Sequence, residues 1–197
     1  MSCVPSLTEV LASAAHLQEL VPDAVLVGGA ESPYYAGHRE SFDLTLLGSL
    51  DGIEAGLRQL RRSRPLEVQE VTLPGGERLR VPTVAEILRI KAYLVVQRNQ
   101  VRDDLDTVAL AGRIGPDEAV NVLAGIDDYY ADRSGGNDSV LTAVAQRLSD
   151  PHPRDERVTG ELAAYNRLDE RWHDWATVVR AAQDLADGIV EELERRR

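Results

Sequence analysis

The chain has 197 residues, 43% of them hydrophobic, 28% charged and 5% aromatic, and a formal net charge of −11. That length and mix suit one large or two small globular domains and exclude a disordered tail, a collagen-like fibre and, with Cys3 the sole cysteine, a disulfide-stapled miniprotein. No apolar run reaches the ~18 residues of a membrane span and the opening residues do not read as a secretory leader, so a cytoplasmic protein is expected, and its acidity argues against non-specific nucleic-acid binding.

Leu7, Val10, Leu11, Ala14 and Ala15 recur at helical spacing behind a capping-box pattern, Ser6-Leu7-Thr8-Glu9, and predict a helix over 7–20. Ala24 to Val27 is a short apolar run ending in Gly28-Gly29, which reads as a buried strand entering a tight loop. Residues 30–41 read as polar loop with room for a helical turn, Phe42 to Leu47 as a second strand, and Ile53 to Leu60 as a helix capped by Asp51. Leu66 to Leu73 and Glu77 to Val81 read as a hairpin around Pro74-Gly75-Gly76, with a bulge near Gln69 to reconcile two apolar parities. Thr83-Val84-Ala85-Glu86 opens a helix to about Arg98, and Val101 to Gly112 forms another. From Pro116 onward every periodic segment is helical: to about Tyr130, then Asp138 to Leu148, then one or two helices across 157–195 with Gly188 a weak point. The expected domains are an α/β part over 1–114 and an all-helical part over 115–197.

Charge divides unevenly between these parts. Residues 1–114 hold 12 basic and 15 acidic residues, and residues 115–197 hold 10 and 18. An anionic ligand would therefore meet the first part. Lys91 is the only lysine, and lysine supplies a compact charge suited to phosphate. Lys91 and Arg98 lie two helical turns apart and share a face, and Asp103 and Asp106 share a face on the next helix. This spacing makes a compact polar cluster, which an exposed ion-pair lattice would also produce. Gly28-Gly29 at a strand end allows close backbone approach to a phosphate, and Asp43 on the following strand is a candidate Mg²⁺ ligand.

Gly28-Gly29, the run His38-Arg39-Glu40-Ser41-Phe42-Asp43-Leu44, Lys91 with Arg98, and Arg102-Asp103 with Asp106 together resemble the AbiEii/MenT group of nucleotidyltransferase-like toxins over roughly residues 24–112. The resemblance implies an α+β fold, a small mixed sheet flanked by helices, followed by an all-helical C-terminal part. It implies a toxin of a toxin–antitoxin system that moves a nucleotide, often a pyrimidine, from an NTP to the 3′ acceptor end of tRNA. Mg²⁺ or Mn²⁺ would be the cofactor, and tRNA, NTP and a cognate antitoxin the partners, with no membrane involved. Asp43, Lys91 and Asp106 would be catalytic. Gly28, Gly29, Arg39, Ser41, Lys91 and Arg98 would bind nucleotide, and Asp43 and Asp106 the metal, with Asp103 and Thr45 as further candidates.

The chain departs from the group's pattern at Ala30, where a hydroxyl residue is usual, and at Thr45, where a second carboxylate is usual. Glu67 or Glu70 could supply the missing carboxylate. Arg58, Arg61, Arg62, Arg64, Arg78 and Arg80 could track an RNA backbone, or could simply complement a helix end. The alternatives are a weakened nucleotidyltransferase-fold protein that binds nucleotide or a protein partner without transfer, and a helical interaction module. Trp172 and Trp175, one turn apart on an expected helix, read as packing residues, and Tyr129-Tyr130 as core at a helix end.

Overall fold

The computed structural model describes residues 7–21, 24–28, 31–38, 44–47, 63–130, 139–164 and 168–196. Helix α1 (Leu7–Leu20) leads into strand β1 (Val25–Gly28), helix α2 (Glu31–Ala36) and strand β2 (Leu44–Leu47). Strands β3 (Val68–Thr72) and β4 (Arg78–Pro82) follow, then helices α3 (Val84–Gln97), α4 (Val101–Ile114), α5 (Pro116–Leu123), α6 (Ile126–Tyr129), α7 (Val140–Ser149) and α8 (Trp175–Arg195). Between α7 and α8 lie two 3₁₀ segments, Glu156–Ala164 and Glu170–Trp172. The composition is α+β. The strands form two separate antiparallel pairs, β1–β2 and β3–β4, where a small mixed sheet was expected. The helix expected at 53–60 lies outside the described residues.

The β3–β4 ladder runs without a bulge, from Val68 opposite Pro82 to Thr72 opposite Arg78. The expected parity conflict disappears because Val68 is exposed and only the Val71 and Leu73 side of the hairpin turns inward. The turn closes with the Leu73 N–H donating to Glu77 and the Gly76 N–H to Leu73. Gly76 sits at φ +92°, a conformation that glycine alone adopts without strain. Leu73, Leu79 and Val81 pack with Leu26 of β1 and with Leu11, Ala14 and Ala15 of α1 in a small core. Gln18 of α1 fixes this packing, accepting from the Arg80 backbone N–H at 2.7 Å and donating to its carbonyl at 2.8 Å.

The larger core runs from α3 to α8 and includes Leu162, Leu168 and Trp172. Helix α3 is its axis. Its sequence is apolar around nearly the whole circumference, so it buries Ile87, Leu88, Ile90 and Val95 together with the charged Glu86, Arg89 and Lys91. Thr83 caps it by accepting from the Glu86 N–H. Asn99, at φ +52°, turns the chain sharply from α3 into α4. The expected helix from Pro116 is broken at Ala124-Gly125 into α5 and α6. At the other end Gly188 does not interrupt α8, and its missing side chain lets the helix approach Val120 of α5.

Candidate functional site

Buried charges on α3 and α4 find one another across the helix pair. Lys91 Nζ lies 2.9 Å from Asp106 Oδ2. His38, on the segment that leaves α2, places Nε2 at 2.7 Å from Asp106 Oδ1. The Asp106 and His38 side chains are 0% exposed and that of Lys91 is 4% exposed. At this depth an ammonium and a carboxylate persist only when paired and hydrogen-bonded. The His38 carbonyl accepts from the Asp169 N–H at 2.6 Å, which ties the centre to the segment before Trp172. His38 Nδ1 is buried with no hydrogen-bond partner among the described residues.

Seven residues on from Lys91, Arg98 grips Asp103 with the Nε–Nη2 edge of its guanidinium. Nε lies 3.0 and 2.8 Å from the two carboxylate oxygens, and Nη2 lies 2.5 Å from Oδ1. Asp103 also closes a capping box with Gln100 at the start of α4. The sequence cluster of Lys91, Arg98, Asp103 and Asp106 is thus brought together as two ion pairs, Lys91–Asp106 buried and Arg98–Asp103 half-buried.

Asp104, the next residue, has no such partner. It is fully buried and neither carboxylate oxygen has a hydrogen-bond partner among the described residues. Burial, with the charges of Asp103 and Asp155 adding to it, pushes its carboxyl up to about 7. Asp155 instead accepts the Val101 N–H at 2.8 Å, and so caps α4 from outside the helix.

A third cluster joins β3 to α6. Arg89 lies 3.1 Å from Glu86 and 3.0 Å from Glu67, and its guanidinium stacks 4.1 Å from the Tyr129 ring centre. Arg64 covers the same ring at 5.4 Å and pairs with Asp128. The Tyr129 hydroxyl donates to Glu67. Burial raises Glu67, but the hydrogen bonds from Tyr129 and Arg89 outweigh it and hold the carboxyl below its ordinary value. The Tyr129 hydroxyl is raised by burial and by that bond to Glu67. Glu67 is therefore committed to Arg89 and Tyr129, and Glu70 pairs with Arg78 at the surface. Neither stands as a spare carboxylate.

Of the other candidates, Gly28 ends β1 opposite Leu44, and Thr45 lies in β2 opposite Val27. Gly29, Arg39, Ser41 and Asp43, with Arg58, Arg61 and Arg62, lie outside the described residues. The two oxygens of Asp106 are taken up by Lys91 and His38, and those of Asp103 by Arg98. No group of three or more His, Cys, Asp or Glu among the described residues is placed to hold a metal ion. Trp172 and Trp175 straddle the start of α8 instead of sharing a helix, and Asp174 between them caps it. Sequence reasoning missed the pairing role of His38 and the isolation of Asp104. Its usable signal was α3 itself, where three charges interrupt a run that is apolar on every side.

Comparison with known proteins bears on function directly. A protein of Mycobacterium bovis named probable transport protein MmpL11 is 43% identical over 132 residues, which make up 67% of this chain and 13% of that protein. The heme uptake protein MmpL11 of Mycobacterium tuberculosis matches with the same identity and coverage. The mycolic acid-containing lipids exporter MmpL11 of Mycolicibacterium smegmatis is 37% identical over 136 residues, 68% of this chain and 13% of the exporter. The chain spans about 13% of the length of the curated relatives it matches. No family model matches the chain and no solved structure matches it.

These relatives carry the names of transport proteins, and that corrects the expectations drawn from the toxin resemblance. Membership of the AbiEii/MenT group, nucleotidyl transfer to tRNA, the enzyme class, and tRNA, NTP and an antitoxin as partners are all set aside, as is the exclusion of a membrane partner. Of the expected location, one statement stands. No helix among the described residues is long and apolar enough to cross a membrane.

Proposed function

We propose that this chain is a membrane-extrinsic helical module that serves an MmpL11-type transport assembly. The observation that carries the reading is the pattern of identity. It reaches 37–43% over about two thirds of the chain yet falls within 13% of the transporters' length. A stretch shared at that level, with no described helix fit to span a bilayer, suits an appended domain better than a translocation path. The relatives' names give heme uptake in one case and export of mycolic acid-containing lipids in another. The common element is transport and not one cargo, so the module acts on the assembly and need not hold cargo itself. Cys3 is the sole cysteine, so the fold draws on no intrachain disulfide, which supports a place on the cytoplasmic side.

In this reading the polar centre of His38, Lys91 and Asp106 positions the helices. It locks α2, α3 and α4 in one register, and with them the surfaces the module presents to its partner. The test is a graft. The matched segment of the M. smegmatis exporter is deleted, or replaced by the corresponding residues of this chain, and mycolic acid-containing lipids outside the cell are measured. Export lost on deletion and restored by the graft is expected. Normal export from the deletion would remove the module's role in transport.

A further inference from the structure

The segment between α7 and α8 lies across the corner where α3 turns into α4. Hydrogen bonds tie it to that corner, and Leu162 anchors it in the large core. The Arg154 N–H donates to the Asn99 carbonyl at 2.8 Å, and the Asn99 side chain donates back to the His152 carbonyl at 2.6 Å. Asp155 accepts the Val101 N–H, a first-turn donor with no partner inside its own helix. Pro151, Pro153 and Leu162 are buried, but Arg154, Glu156, Arg157, Gly160, Glu161, Ala163 and Ala164 are exposed. The segment then runs for nine residues as a 3₁₀ helix, Glu156–Ala164. Runs beyond three or four residues are uncommon in that conformation because its hydrogen bonds are poorly aligned.

Beneath this attachment lies Asp104, fully buried, with both carboxylate oxygens unpartnered among the described residues. The charges that bear on it are anionic: Asp103 on its own helix and Asp155 on the overlying segment. Uncompensated burial of a carboxyl opposes docking, and the opposition is relieved when the segment lifts and water reaches the group. We propose that residues 150–164 form a releasable strap over the α3–α4 corner, latched by Asn99 and Asp155 and held close to release by the buried carboxyl of Asp104. The strap opens locally and withdraws Leu162 from the core, while helices α3 to α8 stay folded. Opening uncovers the first turn of α4 and the apolar seat of Leu162, and Asp104 sets how often this happens. This mechanism stands on the geometry of the corner and does not depend on the transport reading.

Amide hydrogen exchange followed by NMR on the full chain, at one fixed pH above 7 where Asp104 is ionised, tests it. The Val101 and Arg154 amides report the latch directly, because the bonds that protect them cross between corner and strap. In the wild-type chain they should exchange together, at least about tenfold faster than amides in the middle of α8, as a locally opening unit does. Asp104→Asn, which removes the opposing charge without changing shape, should slow both by about tenfold and leave the α8 amides ordered as before. Asn99→Gly keeps the left-handed backbone but removes the bond to His152, and should quicken both. Latch amides as protected as those of α8 in the wild type would overturn the proposal, and so would an Asp104→Asn chain whose latch amides exchange at the wild-type rate or faster.

Discussion

Asp106 is the residue on which the polar centre depends. Its carboxylate meets an ammonium on one side and an imidazole on the other, all three inside the core. Asp106→Ala would leave the Lys91 ammonium buried without this counter-charge, and should destabilise the fold by about 3–5 kcal/mol. Replacing the pair together, Lys91→Met with Asp106→Leu, should cost far less, because the desolvation of both charges disappears with their attraction. Urea denaturation of the single and double variants checks this, and a loss below about 1 kcal/mol in Asp106→Ala would contradict a paired core charge. Asp104 acts on pH. Its carboxyl stands at about 7 in the folded chain against an ordinary 3.8. The folded chain therefore holds this proton up to pH values where the unfolded chain has released it. The contribution to stability is fully present below about pH 4, is lost as pH rises towards 7, and amounts to a figure on the order of 4 kcal/mol. Glu67, held below its ordinary value, works in the opposite sense and favours the fold above that value. The difference between wild type and Asp104→Asn isolates the first effect: stability of the variant should fall less between pH 4 and 7, and a constant difference across that range would contradict it. Spacing alone grouped Lys91, Arg98, Asp103 and Asp106. It could not show that His38, 68 positions before Asp106, completes the centre, nor that Asp104 faces inward. Both depend on how α2 and the strap fold onto α4.

Between helices, α8 packs tightly on α5 at Gly188. A Cβ at Gly188 would lie 2.8 Å from Cγ2 of Val120, a β-branched side chain with little freedom to move aside. Gly188→Ala should therefore lower stability by about 1–3 kcal/mol although alanine is the better helix former. Adding Val120→Ala should recover part of the loss. Thermal denaturation of the three variants decides it, and a more stable Gly188→Ala chain would mean that propensity outweighs packing there. The same contest explains what the sequence could show of the fold. Periodicity placed α1 and α3 almost to the residue, because a capping pattern and a long apolar period agree in each. It took Gly188 for a weak point because propensity weighs one residue without its neighbour. It ran α5 and α6 together, and it read a helix through the 3₁₀ strap, because their apolar spacing is helical and only tertiary packing bends the chain.

At the scale of the molecule, one core extends from α3 to α8 and a smaller one joins α1 to the β3–β4 hairpin. Tyr35 packs against both. Its hydroxyl also donates to the Pro82 carbonyl, so α2 binds the hairpin's end to the helical body. The toxin reading was overturned at this scale, by the likeness to transport proteins and not by any single residue. Lysine, arginine and two aspartates at that spacing suit a triphosphate site as well as a pair of internal salt bridges. Spacing alone does not tell the two apart. The graft into the M. smegmatis exporter decides whether the proposed module serves a transport assembly. Deleting the matched segment should abolish export of mycolic acid-containing lipids, this chain's residues should restore it, and a graft carrying Asp106→Ala should not. Export that survives the deletion unchanged would contradict the claim.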